Sequence, residues 1–291
     1  MVETVSAPAD KLSQRALSAL GKLPPFSPIL NKLLASLAGE DVSFAKLGDL
    51  IEKDTVVAGN IMHLVNSALY ARRATITSVR HALALLGMDK VRNTLLGMSI
   101  SRMWGQVKTP PTWSMARFNR HSAAVAVLSD QIASRVMADC AEGAFVAGLL
   151  HDLGRLLIAL GLPDEFASLM KLHEHSDKSW TDCERQLLGF THAELSAKAL
   201  IIWKFPEQVQ IAVRDHHHPP PFQQGGTVPL SAIVDAANQY VNSTGDSIVA
   251  GKVIGAEDAG AIAALGIPEE NLGRLVADFQ TEQAAMAGFF R

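Results

Sequence analysis

The residues best suited to chemistry in this chain are an adjacent histidine and aspartate, His151-Asp152, which follow an apolar run over residues 145–150. Adjacent side chains on a helix point about 100° apart, so both can reach one pocket only if it lies between them. An imidazole nitrogen and a carboxylate oxygen are natural ligands for zinc, iron or manganese. The pair therefore indicates a metal site whose other ligands must come from elsewhere.

Four further histidines could supply those ligands: His121, His192, His216 and His217. They fall on different predicted helices or helix ends. Helical bundles build metal sites from inward-facing side chains on facing helices, so one shared pocket is one interpretation. The alternative is that each histidine only holds helices together through hydrogen bonds.

The elements that must position these residues are predicted to be helices throughout. The chain is 48% hydrophobic but only 6% aromatic, and alanine and leucine dominate, which favours helices over strands. Apolar periodicity and turn signals predict helices at about 29–37, 78–86, 113–138, 142–159, 163–175, 180–187, 191–203, 206–215, 229–243 and 254–265.

The predicted organisation has three parts. Residues 1–14 are small, polar and weakly periodic, and we interpret them as a loose lead-in. A helical lobe over 15–105 is followed by a break at 105–112, which contains Pro110-Pro111. A larger helical lobe then covers 113–291.

Composition narrows the class of protein. The net charge is -3 and the pI about 6.4, so a nucleic-acid partner is disfavoured. Cys140 and Cys183 lack CxxC spacing, which makes a disulfide framework improbable and suits a reducing compartment. Residues 1–14 lack the apolar core of a signal peptide, and the apolar stretches are too short or interrupted to span a bilayer. We expect a soluble cytoplasmic protein without membrane contact.

The order and spacing of several segments resemble the HDOD family, a signal-output branch of the HD superfamily. The segments are Leu23-Pro24-Pro25-Phe26, Ile51-Glu52-Lys53-Asp54, Asn66-Ser67-Ala68-Leu69-Tyr70, Ala82–Gly87, Phe145–Arg155, His192-Ala193-Glu194, Trp203-Lys204-Phe205-Pro206 and Ala212–His217. The likeness covers about residues 18–245. It implies an all-helical, two-lobed fold in which a small N-terminal lobe packs on a larger lobe related to HD phosphohydrolases.

The resemblance also assigns candidate site residues. His121, His151 and Asp152 match the first three positions of an active HD hydrolase. His192, His216 and His217 resemble the extra histidines of the HD-GYP phosphodiesterases.

The chain departs from the enzymes of the superfamily at three places. Asn238 aligns with the closing aspartate, and the nearest substitute is Asp235, one turn earlier and displaced by about 5 Å along the helix axis. Arg155 stands where HD-GYP enzymes usually have a lysine, and the Gly-Tyr-Pro segment is missing. Arginine can bind phosphate, but with a different geometry.

Two functions remain in view. The first is a non-enzymatic regulatory module in bacterial signalling that contacts signalling proteins, a second copy of itself being one alternative. Its metal site is either vestigial or holds iron, manganese or zinc as a structural metal. Family members are usually regarded as lacking demonstrated catalysis, which favours this role. The second is a metal-dependent phosphohydrolase acting on a nucleotide or cyclic dinucleotide. Nucleic-acid binding ranks last because the chain is acidic overall.

Overall fold

The fold consists of α-helices joined by short turns, as seen in a computed structural model that describes residues 7–37, 44–66, 76–248 and 259–286. In chain order the helices are α1 Ala7–Ser18, α2 Pro28–Leu37, α3 Phe44–Lys53, α4 Thr55–Val65, α5 Val79–Leu86, α6 Met88–Trp104, α7 Met115–Ala133, α8 Ala144–Leu150, α9 Leu153–Gly161, α10 Pro163–Glu174, α11 Trp180–Leu188, α12 His192–Ile202, α13 Glu207–Asp215, α14 Leu230–Ser243, α15 Gly260–Ala263 and α16 Glu269–Met286. Within the described residues, β pairing is limited to one isolated bridge between Ala138 and Val228. The predicted all-α fold class is confirmed.

Several helix ends form where the sequence predicts them. The Asp54 carboxylate accepts hydrogen bonds from the backbone N–H groups of Val56 and Val57 and so caps α4. The Ser78 hydroxyl caps α5. Gly87, with a φ of +80°, ends α5 in a conformation that favours glycine. Residues 67–70 of the predicted motif, and residues 254–258 of the predicted helix at 254–265, lie outside the described residues.

The predicted break at 105–112 separates α6 from α7, and aromatic side chains pack around it. Trp104 at the end of α6 and Trp113 just before α7 both contact Phe118, with ring centroids 4.7 and 5.2 Å apart. Trp113 also contacts Phe166 of α10 at 5.6 Å. Because Trp104 and Phe118 are fully buried, this chain of rings fixes the direction in which α7 leaves the first lobe.

The prediction of a loose lead-in at residues 1–14 is wrong for its described part, because α1 begins at Ala7. This helix packs on α9 and α12 of the second lobe. The helices come very close at Gly161, where a Cβ would lie 2.8 Å from the Cα of Ala16. Small residues permit this close packing, and weak apolar periodicity in the first residues gave no sign of it.

The single helix predicted over 142–159 is also wrong, because the chain turns at His151-Asp152 between α8 and α9. The side chains on both sides of this turn are apolar, so hydrophobic periodicity could not predict the turn. By length and composition the stretch Ala141–Gly161 could cross a membrane, with a mean hydropathy of 1.5. However, 94% of its most apolar window is buried inside the protein, as in the core helix of a soluble fold.

Candidate metal centre

The turn between α8 and α9 places His151 and Asp152 in the interior, and hydrogen bonds hold it there. His151 Nδ1 lies 2.7 Å from the carbonyl oxygen of Gly148. The Ser196 hydroxyl of α12 donates to the carbonyl oxygen of His151 at 3.0 Å and accepts from the N–H of Gly154 at 2.7 Å. Ser196 therefore joins both sides of the turn to α12.

His121 and His216 are oriented by contacts at the same ring atom, Nδ1. His121 Nδ1 lies 2.6 Å from the carbonyl oxygen of Asp246, and His216 Nδ1 lies 2.7 Å from that of Val213. A carbonyl oxygen can only accept, so these neutral rings carry their proton on Nδ1. Their Nε2 atoms are left with a lone pair, which is the arrangement typical of histidine ligands to metals.

His192 is oriented by a buried carboxylate, Glu184 of α11. One oxygen of Glu184 lies 2.7 Å from His192 Nδ1 and accepts from the backbone N–H of His192 at 2.9 Å. The other accepts from Trp180 Nε1 at 2.8 Å. Sequence reasoning missed Glu184, because nothing in the spacing of α11 and α12 marks it as a partner of His192.

The ligand atoms fall into two groups that share Asp152. His121, His151 and Asp152 form one, and Asp152, His192, His216 and His217 form the other, with the ligand atoms of each within 4.8 Å of one another. The structure thus brings together six of the predicted site residues.

Some close approaches in this centre join atoms that both carry lone pairs. The Nε2 atoms of His121 and His151 are 3.3 Å apart, and His151 Nε2 lies 3.3 Å from an oxygen of Asp152. Because both rings face a carbonyl oxygen with Nδ1, their protons lie there, and these atoms repel one another unless a cation lies among them. His192 Nε2 lies 2.9 Å from the other oxygen of Asp152 and 3.0 Å from His217 Nε2. The donor set therefore fits a divalent transition metal.

His216 Nε2 gives independent support, because it is buried and has no hydrogen-bond partner among the described residues. Its ring packs against those of His151 and His217, with centroids 5.0 and 4.0 Å away. Leaving a polar atom unpaired in the interior costs about 1–3 kcal/mol. A metal ion would satisfy this atom.

The protonation states also suit a metal. Burial, and then the neighbouring His151, lower the pKa of His121 to about 3. Burial and His217 hold the pKa of His216 well below its usual range, and burial and His192 lower the pKa of His217. These rings are neutral near pH 7, which is the form that binds metals.

The charged groups of the centre act in the opposite direction to burial. Burial alone would raise the pKa of Asp152, but Arg155, His151 and His192 outweigh it, so this pKa lies well below its usual range. Burial likewise lowers the pKa of His192, but Glu184 and Asp152 outweigh it and raise that pKa. Asp152 is therefore ionised and available as a ligand.

Arg155 lies directly against the carboxylate of Asp152. Its Nε lies 3.0 Å from an oxygen of Asp152, and its guanidinium lies 5.4 Å from the ring centroid of Trp180. Only 11% of the side chain is exposed. Arg155 therefore serves as a buried counter-charge to Asp152.

Asp235 is not brought into either group of ligand atoms. Its half-buried carboxylate accepts a hydrogen bond from Gln239 of the same helix at 2.9 Å. Asn238, the residue aligned with the closing aspartate, is buried, and its amide oxygen accepts from Asn242 at 2.8 Å. Thus α14 adds no carboxylate to the two groups, which departs from the expectation for Asp235.

The fold and this centre define an all-helical protein of HD type, and comparison with known proteins identifies the family. The family model described as HDOD domain matches residues 23–219. The chain belongs to the HDOD domain family.

Two solved structures share the fold. An HDOD domain protein with unknown function from Geobacter sulfurreducens has a TM-score of 0.75 and 22% identity, covering 97% of this chain and 99% of its own. A Shewanella amazonensis SB2B protein that carries the provisional name phosphohydrolase has a TM-score of 0.72 and 21% identity, covering 95% of this chain and 98% of its own.

A curated relative is longer than this chain. An uncharacterized protein of Treponema pallidum (strain Nichols) is 21% identical over 212 residues, which is 72% of this chain. The match covers 40% of that relative's length.

The role of Glu184 can be tested by its substitution with glutamine. Glu184→Gln replaces the carboxylate that fixes His192 Nδ1 with a neutral amide, so we expect metal affinity to fall about 10–100-fold. Competition with a chromogenic chelator would measure the affinity. The matched control is Asp182→Asn, an exposed carboxylate on the same helix that should leave the affinity unchanged. Equal affinities for all three proteins would contradict this role.

Proposed function

We propose that this protein is a non-enzymatic regulatory module of bacterial signalling, which acts through contacts with partner proteins and holds a divalent transition metal as a structural ion. The observation that carries the proposal is the closure of the centre. The side chains of His121, His151, Asp152 and His192 are 0–1% exposed. A catalytic metal keeps a coordination position open to water and substrate, whereas a structural metal is enclosed by protein ligands.

Two substitutions relative to the enzymes of the superfamily support the proposal. Asp152 is the only residue shared by the two groups of ligand atoms, and Arg155 lies buried against its carboxylate. Asn238 supplies a neutral amide in place of the closing aspartate. Fewer negative charges face the metals, and the cation that would meet a substrate phosphate is already paired.

The proposed metal is iron, manganese or zinc, bound by His121, His151, Asp152, His192, His216 and His217. These residues come from α7, the turn between α8 and α9, the start of α12 and the end of α13. A metal bound there would join four separate parts of the second lobe. Its binding free energy would thereby contribute to the folding of that lobe.

One observation favours a second function, a metal-dependent phosphohydrolase acting on a nucleotide or cyclic dinucleotide. Asp152 belongs to both groups of ligand atoms, as a bridging carboxylate does in two-metal hydrolytic sites. Metal ions in such sites activate water and neutralise phosphate charge.

A turnover assay separates the two functions. Protein loaded with Mn²⁺ or Fe²⁺ is incubated with bis(p-nitrophenyl) phosphate and with a cyclic dinucleotide. We expect no hydrolysis above that of the Asp152→Asn variant, because the centre is closed. Metal-dependent hydrolysis that disappears in Asp152→Asn would overturn the regulatory proposal in favour of the hydrolase.

The proposed protein partners require a separate measurement. We propose a cytoplasmic location and signalling proteins as partners, with a second copy of this chain as one alternative. Affinity capture in the native organism, followed by reconstitution from two purified proteins, would identify a partner. Analytical ultracentrifugation would test the homodimer.

A further inference from the structure

A cavity of about 420 Å³ lies between α7 and α16, next to the metal centre. Its walls are mainly apolar and small, and include Ala123, Ala124, Val127, Ala284 and Met286. Polar groups occur at one end, where Arg120, Asp246 and Gln283 meet. A mainly apolar cavity of this size with a few convergent polar groups is typical of a site for a small molecule.

Arg120 is prepared to receive an anion in this cavity. Its Nε donates to one oxygen of Asp246 at 2.6 Å, which fixes the orientation of the guanidinium. Among the described residues that is its only hydrogen bond, and neither Nη group has a partner there. A guanidinium edge with two N–H groups matches a carboxylate or phosphate in geometry.

Asp246 connects this cavity to the metal centre. Its carboxylate is shared between Arg120 and Gln283 Nε2 of α16, the latter at 2.9 Å. Its carbonyl oxygen accepts from His121 Nδ1 at 2.6 Å. Asp246 therefore lines the cavity with its side chain and orients His121, a predicted metal ligand, with its backbone carbonyl group.

We propose that the cavity binds a small amphiphilic anion, an apolar chain or ring with one carboxylate-like end, and that this ligand is an input signal read by the metal centre. The apolar part lies against the alanines, and the anionic end pairs with Arg120. An anion on the Nη groups places a second negative charge beside the carboxylate of Asp246, and the repulsion between them loosens the contact between Asp246 and His121. The proposed binding site depends on the cavity alone. The proposal that its ligand is an input signal rests on the regulatory function proposed above.

The first test measures binding of octanoate to the purified full chain by isothermal titration calorimetry, with octylamine as the probe of opposite charge. We expect octanoate to bind and octylamine not to bind. Arg120→Gln should weaken octanoate binding about tenfold or more, because a charge-assisted hydrogen bond is lost. Ala284→Trp, which fills the cavity from its exposed edge, should abolish binding. The matched control Ala277→Trp changes an exposed alanine of α16 outside the cavity and should bind as the parent protein does.

The second test measures the connection to the metal centre. Octanoate should raise the rate at which a chelator removes Mn²⁺ from the loaded protein about fivefold or more, and the Ala284→Trp variant should show no such effect. No octanoate binding, or equal binding by Ala284→Trp and Ala277→Trp, would overturn the site. Binding without a change in metal release would overturn the connection. A protein that binds octanoate but no metal would instead contradict the proposed metal and leave the site supported.

Discussion

Replacing Asp152 with asparagine is expected to abolish stoichiometric binding of a transition metal. Asp152 is the one residue common to both groups of ligand atoms, and its carboxylate is the only anionic donor in them. Changing a group that only orients a ligand lowers metal affinity about 10–100-fold. The fall in affinity caused by Asp152→Asn should be larger. Metal analysis of protein purified without chelator, and then reloaded with Fe²⁺, Mn²⁺ or Zn²⁺, would measure the effect.

The same variant should lose the response of its stability to metal. A ligand that binds only the folded state raises Tm, so chelation should lower the Tm of the parent protein and leave Asp152→Asn unchanged. The matched control is Asp235→Asn, because Asp235 pairs with Gln239 and lies outside both groups. If Asp235→Asn loses the metal while Asp152→Asn keeps it, the proposed ligand set is wrong.

Replacing Gly154 with alanine should strongly destabilise the second lobe. A Cβ at this position would overlap the carbonyl oxygen of His192 and lie 2.9 Å from its Cα, both of which are backbone atoms. Flexible side chains cannot relieve this clash, so α9 and α12 must separate. We expect the free energy of unfolding to fall by about 3 kcal/mol or more, as measured by urea denaturation.

The metal centre should respond to Gly154→Ala as well, because its clash occurs at His192. Metal affinity should fall together with stability. The matched control is Gly59→Ala, at an exposed position inside α4 where a Cβ meets no atom of another described segment within 4 Å. That change should stabilise the protein by up to about 1 kcal/mol, since alanine favours helix. Similar losses of stability in Gly154→Ala and Gly59→Ala would show that close contact between Gly154 and α12 is not the cause of the destabilisation.

Much of the fold could be predicted because it depends on local signals. The helix caps at Asp54 and Ser78 follow from hydrogen bonding within a few residues, and apolar periodicity marks most helices. The predictions of a loose lead-in at 1–14 and of a single helix at 142–159 were wrong for the same reason. Helix α1 is stabilised by packing on α9, and the turn at His151-Asp152 is stabilised by Ser196 of α12. Both depend on residues distant in sequence.

The sequence by itself determined the chemistry available to the site, since the six residues brought together were recognised from their types, spacing and resemblance. The tertiary structure decided how they face one another. Backbone carbonyl groups of Gly148, Val213 and Asp246 set the ring orientations, and such groups have no residue-specific signal in a sequence.

The structure also decided which carboxylates belong to the centre. Glu184 orients His192 from another helix, whereas Asp235 pairs with its own helix. Helical periodicity specifies which side chains share a face, but only the packing of distant helices specifies which faces meet. For this reason the donor types could be read from the chain, while the closure of the site and its connection to the cavity required the fold.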